Sequence, residues 1–190
     1  MKFNKRTFLH RNSIYCDILR AALKIGKRSG WSSVSMRKIA EAIGYTPPVI
    51  YEYFVNKAAL LLGLAQYGIV VLSGELMRAR SASAVPRQQL LLMCRAYWDF
   101  ASAEPELYRL MFGIGTTCSD PNVLEKASAK IDSLFSEVIG CLPLGPYYKC
   151  WSVLHGLIAI KLIGKSLPQK ISEQIFAEAI SDFTNVLVKN

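Results

Sequence analysis

Apolar residues recur every three or four positions along almost the whole chain. Gly and Pro punctuate the pattern, and no alternating run is bounded by hairpin signals. The pattern predicts an all-α protein of about nine helices. In the first, residues 12–29, Ile14, Ile18, Ala21, Ala22 and Ile25 share one face, Arg20, Lys24, Lys27 and Arg28 lie mostly elsewhere, and Gly30 ends the run. Ser35 reads as an N-cap, with Val34 before it and Ile39 four positions into the helix, the spacing of a hydrophobic staple. That helix, Met36 to Ile43, stops at Gly44. Thr46 then caps, Pro47 takes the first helical position, and Tyr45 and Ile50 repeat the staple spacing over a third short helix that ends near Phe54. Two short helices joined by Gly44, Tyr45 and Thr46 match the helix-turn-helix, whose second helix enters the DNA major groove. Ala40 is small where the helices cross, Gly44 suits a left-handed turn, and Ile39, Ile43 and Ile50 supply a small core.

A long helix, Lys57 to Arg80, follows with Leu60, Leu61, Leu64, Ile69 and Leu72, and residues 81–85 read as a loop. Pro86 starts a helix whose Leu90, Leu91, Cys94, Tyr97, Trp98 and Ala101 form a wide apolar face. Pro105 opens a short helix, and Asp120 and Pro121 cap and open another carrying Leu124, Ala127, Ile131, Leu134, Phe135 and Val138. The last two helices are expected over 146–164 and 172–188. The first of these is apolar almost all round, so one face needs a partner beyond its own domain, and a dimer is expected. A wholly intramolecular core is the alternative.

Composition narrows the class. With 190 residues, 52% apolar and 19% charged, the chain can bury a real core and lacks the signature of disorder. The apolar stretches 58–71 and 151–164 fall short of the ~20 residues of a membrane span and read as buried helices. No continuous apolar region follows the basic start, which argues against a secretory signal and for a cytoplasmic protein. Five widely spaced cysteines, Cys16, Cys94, Cys118, Cys141 and Cys150, fit reduced thiols buried as small hydrophobes. No metal or cofactor motif is present.

Charge is the more informative property. Residues 1–66 hold eleven Lys and Arg against Asp17, Glu41 and Glu52, and the remainder of the chain is nearly balanced. Such asymmetry is the footprint of a polyanion, nucleic acid or anionic membrane, or simply a solvated basic face.

The run Ser35-Met36-Arg37-Lys38-Ile39-Ala40, then Gly44-Tyr45-Thr46, then Ile50-Tyr51-Glu52-Tyr53-Phe54-Val55-Asn56-Lys57-Ala58-Ala59-Leu60 resembles the DNA-binding segment of the TetR family of bacterial transcriptional regulators. Farther on, Trp151-Ser152-Val153-Leu154-His155-Gly156 resembles the Trp and His-Gly signature of one class of TetR C-terminal regulatory domain, as does the segment Ala103 to Phe112. The resemblance implies a DNA-binding domain over 1–56 and a ligand-binding and dimerisation domain over 57–190. It implies that the third helix lies in the major groove of double-stranded DNA, with Thr46, Tyr51 and Lys57 on phosphates and Arg37 on a base or the backbone. Tyr53 stays open between DNA contact and core aromatic. Pro47, Pro48 and Val49 occupy the first turn, where the family often has Lys, Gln, Gly or Thr. Two prolines remove amide donors and none of the three side chains hydrogen-bonds a base, so thymine methyl contact and DNA shape carry more of the specificity. The first eleven residues, with Lys2, Lys5, Arg6 and Arg11, are expected as a flexible arm over the phosphates or a solubilising tail.

For the C-terminal part the resemblance implies a homodimer through the last two helices, with Trp151, Leu154, Ile158, Ile175, Ala179, Phe183 and Val186 at the interface. The two recognition helices would then sit about 34–36 Å apart on a pseudopalindromic operator. Tyr97, Trp98, Tyr108, Met111, Phe112, Phe135 and His155 are candidates for an apolar pocket holding a small-molecule effector, whose binding would release DNA by a population shift. The leading expectation is therefore a ligand-released repressor. A ligand-independent DNA-binding or nucleoid-associated protein on the same scaffold is the alternative. A membrane-surface protein would instead prefer anionic liposomes to duplex DNA. An enzyme is not expected, because there are two histidines, His10 and His155, no P-loop and no H-E-x-x-H, and Gly113-x-Gly115 lacks the rest of a dinucleotide site.

Overall fold

A computed structural model describes residues 5–113, 121–139, 144–162 and 168–187. Among them are nine α-helices, one 3₁₀ turn and no strand: α1 Lys5–Ser29, η1 Trp31–Ser33, α2 Met36–Ile43, α3 Pro47–Tyr51, α4 Lys57–Ser81, α5 Pro86–Ala103, α6 Pro105–Met111, α7 Pro121–Ile139, α8 Leu144–Leu162 and α9 Gln169–Leu187. Helix starts follow the local chemistry. The Ser35 hydroxyl accepts from the Lys38 amide at 3.3 Å and the Asn56 side chain from the Ala59 amide at 2.8 Å, while Pro47, Pro86 and Pro105 each sit in a first turn.

Two departures from the sequence pattern concern the ends of elements: α1 starts earlier than expected, and α3 stops at Tyr51 rather than near Phe54. α1 begins at Lys5, because nothing between 5 and 11 breaks a helix, so Lys5, Arg6 and Arg11 ride on a helix rather than on a flexible arm. Their side chains, and residue Lys2, lie outside the description, as do the Asp120 cap, the side chains of Leu124, Ala127 and Val186, and Cys118 and Cys141. Of the other cysteines, Cys94 and Cys150 are buried with their sulfurs 3.9 Å apart, whereas Cys16 is exposed.

Two apolar clusters form the core. The first joins Ile14, Ile18 and Ala22 of α1 with Ile39, Ala40, Ile50 and Phe54, and the second joins α5, α6, α7, α8 and α9 around Tyr97, Trp98 and Tyr108. α4 belongs to both. Leu60, Leu61, Leu64 and Ala65 sink into the first cluster, and Ile69, Leu72 and Leu76 into the second, so a boundary at 56/57 falls ahead of a helix whose first two turns pack with the N-terminal half. By length and composition α4 is apolar enough to cross a membrane, more so than the shorter stretch read from the sequence, but its leucines are spent on these two cores.

α6 crosses the same divide. Leu107, Tyr108 and Met111 pack into the second cluster, while Leu110, one turn on from Leu107, is fully buried in the first. Gly68 of α4 makes room for it: a Cβ there would stand 2.5 Å from the Met111 sulfur and 2.9 Å from Leu107 Cγ.

Candidate nucleic-acid and ligand sites

The helix-turn-helix closes as its residues dictate. Gly44 adopts φ 73°, which lets the Tyr45 amide donate back to the Ala40 carbonyl at 2.9 Å and ends α2 in a left-handed cap. Val34, Ile39 and Ile50 are buried as the staple spacing requires, but Tyr45 is left exposed, so the second staple does not seal as the first does. Pro47 and Pro48 lack amide hydrogens, and the Val49 amide is taken by the Thr46 carbonyl at 3.1 Å. The start of α3 therefore presents no free backbone donor from these three residues. It presents side chains instead.

Arg37, Thr46, Pro48 and Tyr51 are exposed, Tyr51 by 52%, and the Thr46 hydroxyl makes no capping bond. Pro47, Val49, Tyr53 and Lys57 are half-buried, with Val49 and Tyr53 packed against the first core. Lys57 donates to the Ser32 carbonyl at 3.2 Å and Lys38 to the Ser33 carbonyl at 3.1 Å, so both ammonium groups brace the 3₁₀ turn ahead of α2. Each retains protons for a further acceptor. Sequence reasoning passed over this turn and over Val55, which is 76% exposed beside the same helix. The Ser32-Ser33 pair before the Ser35 cap was the available signal. On the other side of α2, a groove of about 630 Å³ adds Arg20, Lys24 and Arg28 to the positive charge of this half, with Arg20 paired to Asp17.

In the second core three polar groups from three helices form a chain. The hydroxyls of Tyr97 (α5) and Tyr108 (α6) lie 3.3 Å apart, and the Tyr108 hydroxyl lies 2.6 Å from Nδ1 of His155 (α8). Burial pushes both phenols well above their ordinary range and pushes His155 down, so all three are neutral. The proton order follows. If Tyr97 donates to Tyr108 and Tyr108 to Nδ1, every buried proton has an acceptor and Nε2 carries the hydrogen. The reverse order leaves the fully buried Tyr97 proton without an acceptor among the described residues, at a cost of about 1–3 kcal/mol. The first order wins, and His155 carries its proton on Nε2.

Aromatic rings surround it. Trp151 stacks on His155 at 4.6 Å and 8°, Phe112 meets it edge-on at 5.0 Å, and Phe135 and Phe112 flank Tyr97. Of the expected pocket residues, Tyr97, Tyr108, Phe112, Phe135 and His155 thus share one site, with Trp151 joining them. Met111 is buried against Gly68 instead. Trp98 belongs to a separate network: its ring is stacked on Phe176 at 4.7 Å, covered by the Lys161 ammonium at 4.4 Å, and its Nε1 donates to Glu173 at 3.0 Å. These three partners leave it no face for a ligand.

The expected interface residues divide as well. Leu154 and Ile158 are 1% exposed within a single subunit and have no surface to offer a second copy, because α8 turns them toward α5 and α9. Trp151, Ile175, Ala179 and Phe183 are half-buried. The exposed face of α8 carries Tyr148, Ser152 and Ile160, and Ile171 is exposed on α9.

Comparison with known proteins matches these features. Residues 18–64 match the family described as bacterial regulatory proteins, tetR family, and residues 90–183 match the tetracyclin repressor-like C-terminal domain. The HTH-type transcriptional activator FasR of Mycolicibacterium smegmatis is 30% identical over 96 residues, 50% of this chain and 44% of that protein, so the match spans less than half of the relative's length. The crystal structure of the putative regulatory protein SCO4313 superposes with a TM-score of 0.78 at 20% identity, covering 96% of this chain and 98% of that one. AibR, crystallised with isovaleryl coenzyme A and operator DNA, gives a TM-score of 0.64 at 19% identity over 88% of this chain and 96% of its own. With the family's N-terminal domain at one end, its C-terminal domain at the other and its fold throughout, the chain belongs to the TetR family of bacterial regulatory proteins.

Proposed function

We propose that the protein is a cytoplasmic, ligand-responsive transcriptional regulator that binds a pseudopalindromic operator as a homodimer and acts as a repressor. The observation that carries the reading is the face made by Arg37, Thr46, Pro48 and Tyr51 beside the Lys38–Lys57 brace: exposed hydroxyls, a phenol and cations on a helix-turn-helix in the half that holds nearly all the net positive charge. Hydroxyls, phenols and ammonium groups are ordinary phosphate partners, and Arg37 suits guanine O6 and N7. Arg37, Thr46, Tyr51 and Lys57 hold the backbone, and Pro47, Pro48 and Val49 face thymine methyls. Tyr53 supports α3 from the core side. We assign 1–56 to DNA binding and the rest to ligand binding and dimerisation, with the C-terminal part in the Trp and His-Gly class on Trp151, His155 and Gly156.

The effector is a small apolar molecule held among Tyr97, Tyr108, Phe112, Phe135, Trp151 and His155. AibR's crystallisation with an acyl coenzyme A and DNA supports an acyl compound. The second copy packs on Tyr148, Ser152, Ile160 and Ile171, with Trp151, Ile175, Ala179 and Phe183 at the edges. The test is selection of genomic fragments by the purified protein at physiological salt, then footprinting. One or a few pseudopalindromes support the reading, whereas sequence-indifferent recovery at every effector concentration overturns it.

A further inference from the structure

The Tyr97–Tyr108–His155 chain is a costly arrangement for a core that needs only to be packed. Phe at either tyrosine would fill the same space without a buried hydroxyl to satisfy. What the chain achieves is directional: two buried hydroxyls hand their hydrogen bonds toward Nδ1 and fix the ring with its proton on Nε2. Trp151, stacked nearly parallel on the ring, fixes its plane. Nε2 has no hydrogen-bond partner among the described residues.

We infer that His155 Nε2–H is the hydrogen-bond donor that receives the carbonyl oxygen of a neutral apolar acyl compound, an ester, thioester or amide, in the site proposed above. The inference rests on the effector half of that proposal and not on DNA binding.

Charge selects the neutral carbonyl over a carboxylate. The cations of the two helices that supply the chain's last links are engaged elsewhere: Arg109 with Glu106 and, at 2.5 Å, with the Leu162 carbonyl, and Lys161 with Ser102 at 2.8 Å and the Trp98 ring, while Lys149 is exposed. Asp132, the charged group that bears on Tyr97, is itself a carboxylate. A free acid would bring its charge into an aromatic site that offers it one N–H, while the Arg109 and Lys161 cations are already engaged. A neutral carbonyl needs only the one donor, and the rings take its chain.

The test uses the full chain labelled with ¹⁵N-histidine, in which His10→Asn leaves His155 as the single histidine. The expected spectrum of the free protein has Nε2 protonated and Nδ1 not. The ligand probes are ethyl octanoate, octanoate and decane, followed by tryptophan fluorescence and by the His155 Nε2 resonance. Ethyl octanoate is expected to bind about tenfold more tightly than either of the others, the worth of one good hydrogen bond, and to move the Nε2 signal. His155→Phe keeps the stacked ring and should bring ester and alkane to equal affinity. Tyr108→Phe, which removes the donor to Nδ1, should give a mixed tautomer and an intermediate preference, so the inference does not depend on one variant's folding.

The opposite tautomer in the free protein overturns the inference, as does an unchanged ester preference in His155→Phe or no ester binding at saturation. DNA binding is read on the same samples. Loss of DNA recognition with the ester preference intact would sink the regulator reading alone. DNA recognition without ester binding would sink this inference alone.

Discussion

Lys27 of α1 and Glu104, the residue from which α6 starts, form an ion pair at 2.5 Å. It joins the helix that carries the DNA-binding core to the helix that carries Tyr108, the middle member of the buried polar chain. Leu110 makes the same connection through apolar contact, from the same helix. The charged link is made at the residue that precedes α6 and the apolar one from within it, and Leu23 of α1 also packs against both clusters.

The two links differ in strength, and that difference is testable. The ion pair is partly exposed, 39% at Lys27 and 29% at Glu104. Such pairs contribute about 0–1 kcal/mol, so Lys27→Ala should lower the melting temperature by no more than about 2–4 °C. Coupling should suffer more than stability. Ligand concentrations that release DNA from the natural protein should release less from Lys27→Ala, measured by fluorescence anisotropy of a labelled operator. Equal release at equal occupancy would show that the ion pair carries no signal.

Leu110→Ala should behave in the opposite way. Removing a fully buried leucine costs about 2–5 kcal/mol. Because the cavity opens in the N-terminal cluster, urea unfolding should show the loss while DNA affinity falls with it, although Leu110 lies far along the chain from the helix-turn-helix. Far-ultraviolet circular dichroism against urea, paired with operator binding, separates the two effects. A loss below about 1 kcal/mol would mean that the site collapses around the smaller side chain.

Which features the sequence revealed follows from their range. Ser35 and Gly44 act on amides and carbonyls within five residues, so their roles follow from spacing alone, whereas the Thr46 cap, the Tyr45 staple and the end of α3 near Phe54 were expected and do not form as expected. Leu110 was not. Periodicity marks it as buried but cannot say in which of two cores, since that depends on how α6 lies against α1 and α4. Tyr97, Tyr108 and His155 were each legible as large groups at helical spacing. Their hydrogen-bond chain joins three helices, its longer link spanning 47 residues along the sequence, and no local rule connects them. The surroundings of Trp98 were hidden for the same reason, because its partners Lys161, Glu173 and Phe176 lie on helices far along the chain. That Leu154 and Ile158 are covered within a single subunit was not legible either, because an all-round apolar helix does not declare which face its own subunit covers.

At the DNA face, Tyr51→Phe should weaken binding by a similar factor at every operator variant, because a phenol on a phosphate positions the protein without reading sequence. Val49→Ala should instead weaken binding only where a thymine methyl faces it, and replacing that thymine by uracil should produce the same loss without adding to it. Quantitative binding to a set of single-base variants distinguishes the two patterns. If neither Val49→Ala nor uracil substitution alters affinity, methyl contact plays no part.

Stability should fall in two separate steps as the solution is acidified. Burial lowers the pKa of His155 in the folded state, so the unfolded chain binds the proton first. Stability therefore begins to decline as the pH drops below the unfolded value of 6.5 and levels off once the folded imidazole also protonates. His155→Phe should abolish this first step. The second step belongs to carboxylates. The Trp98 Nε1–H bond and the Arg95 guanidinium hold Glu173 below its usual range, and Arg80 and Ser133 do the same for Glu137. A depressed carboxylate contributes stability above its unfolded value, about 4.3, that is lost as the pH falls through its folded value. Glu173→Gln should flatten this lower step and leave the upper one unchanged. Urea midpoints measured between about pH 3 and 8 would resolve both. A single decline confined to the carboxylate range would mean that His155 titrates alike in the folded and unfolded chains, and that the histidine is open to water rather than held neutral by its place beside Tyr108 and Trp151.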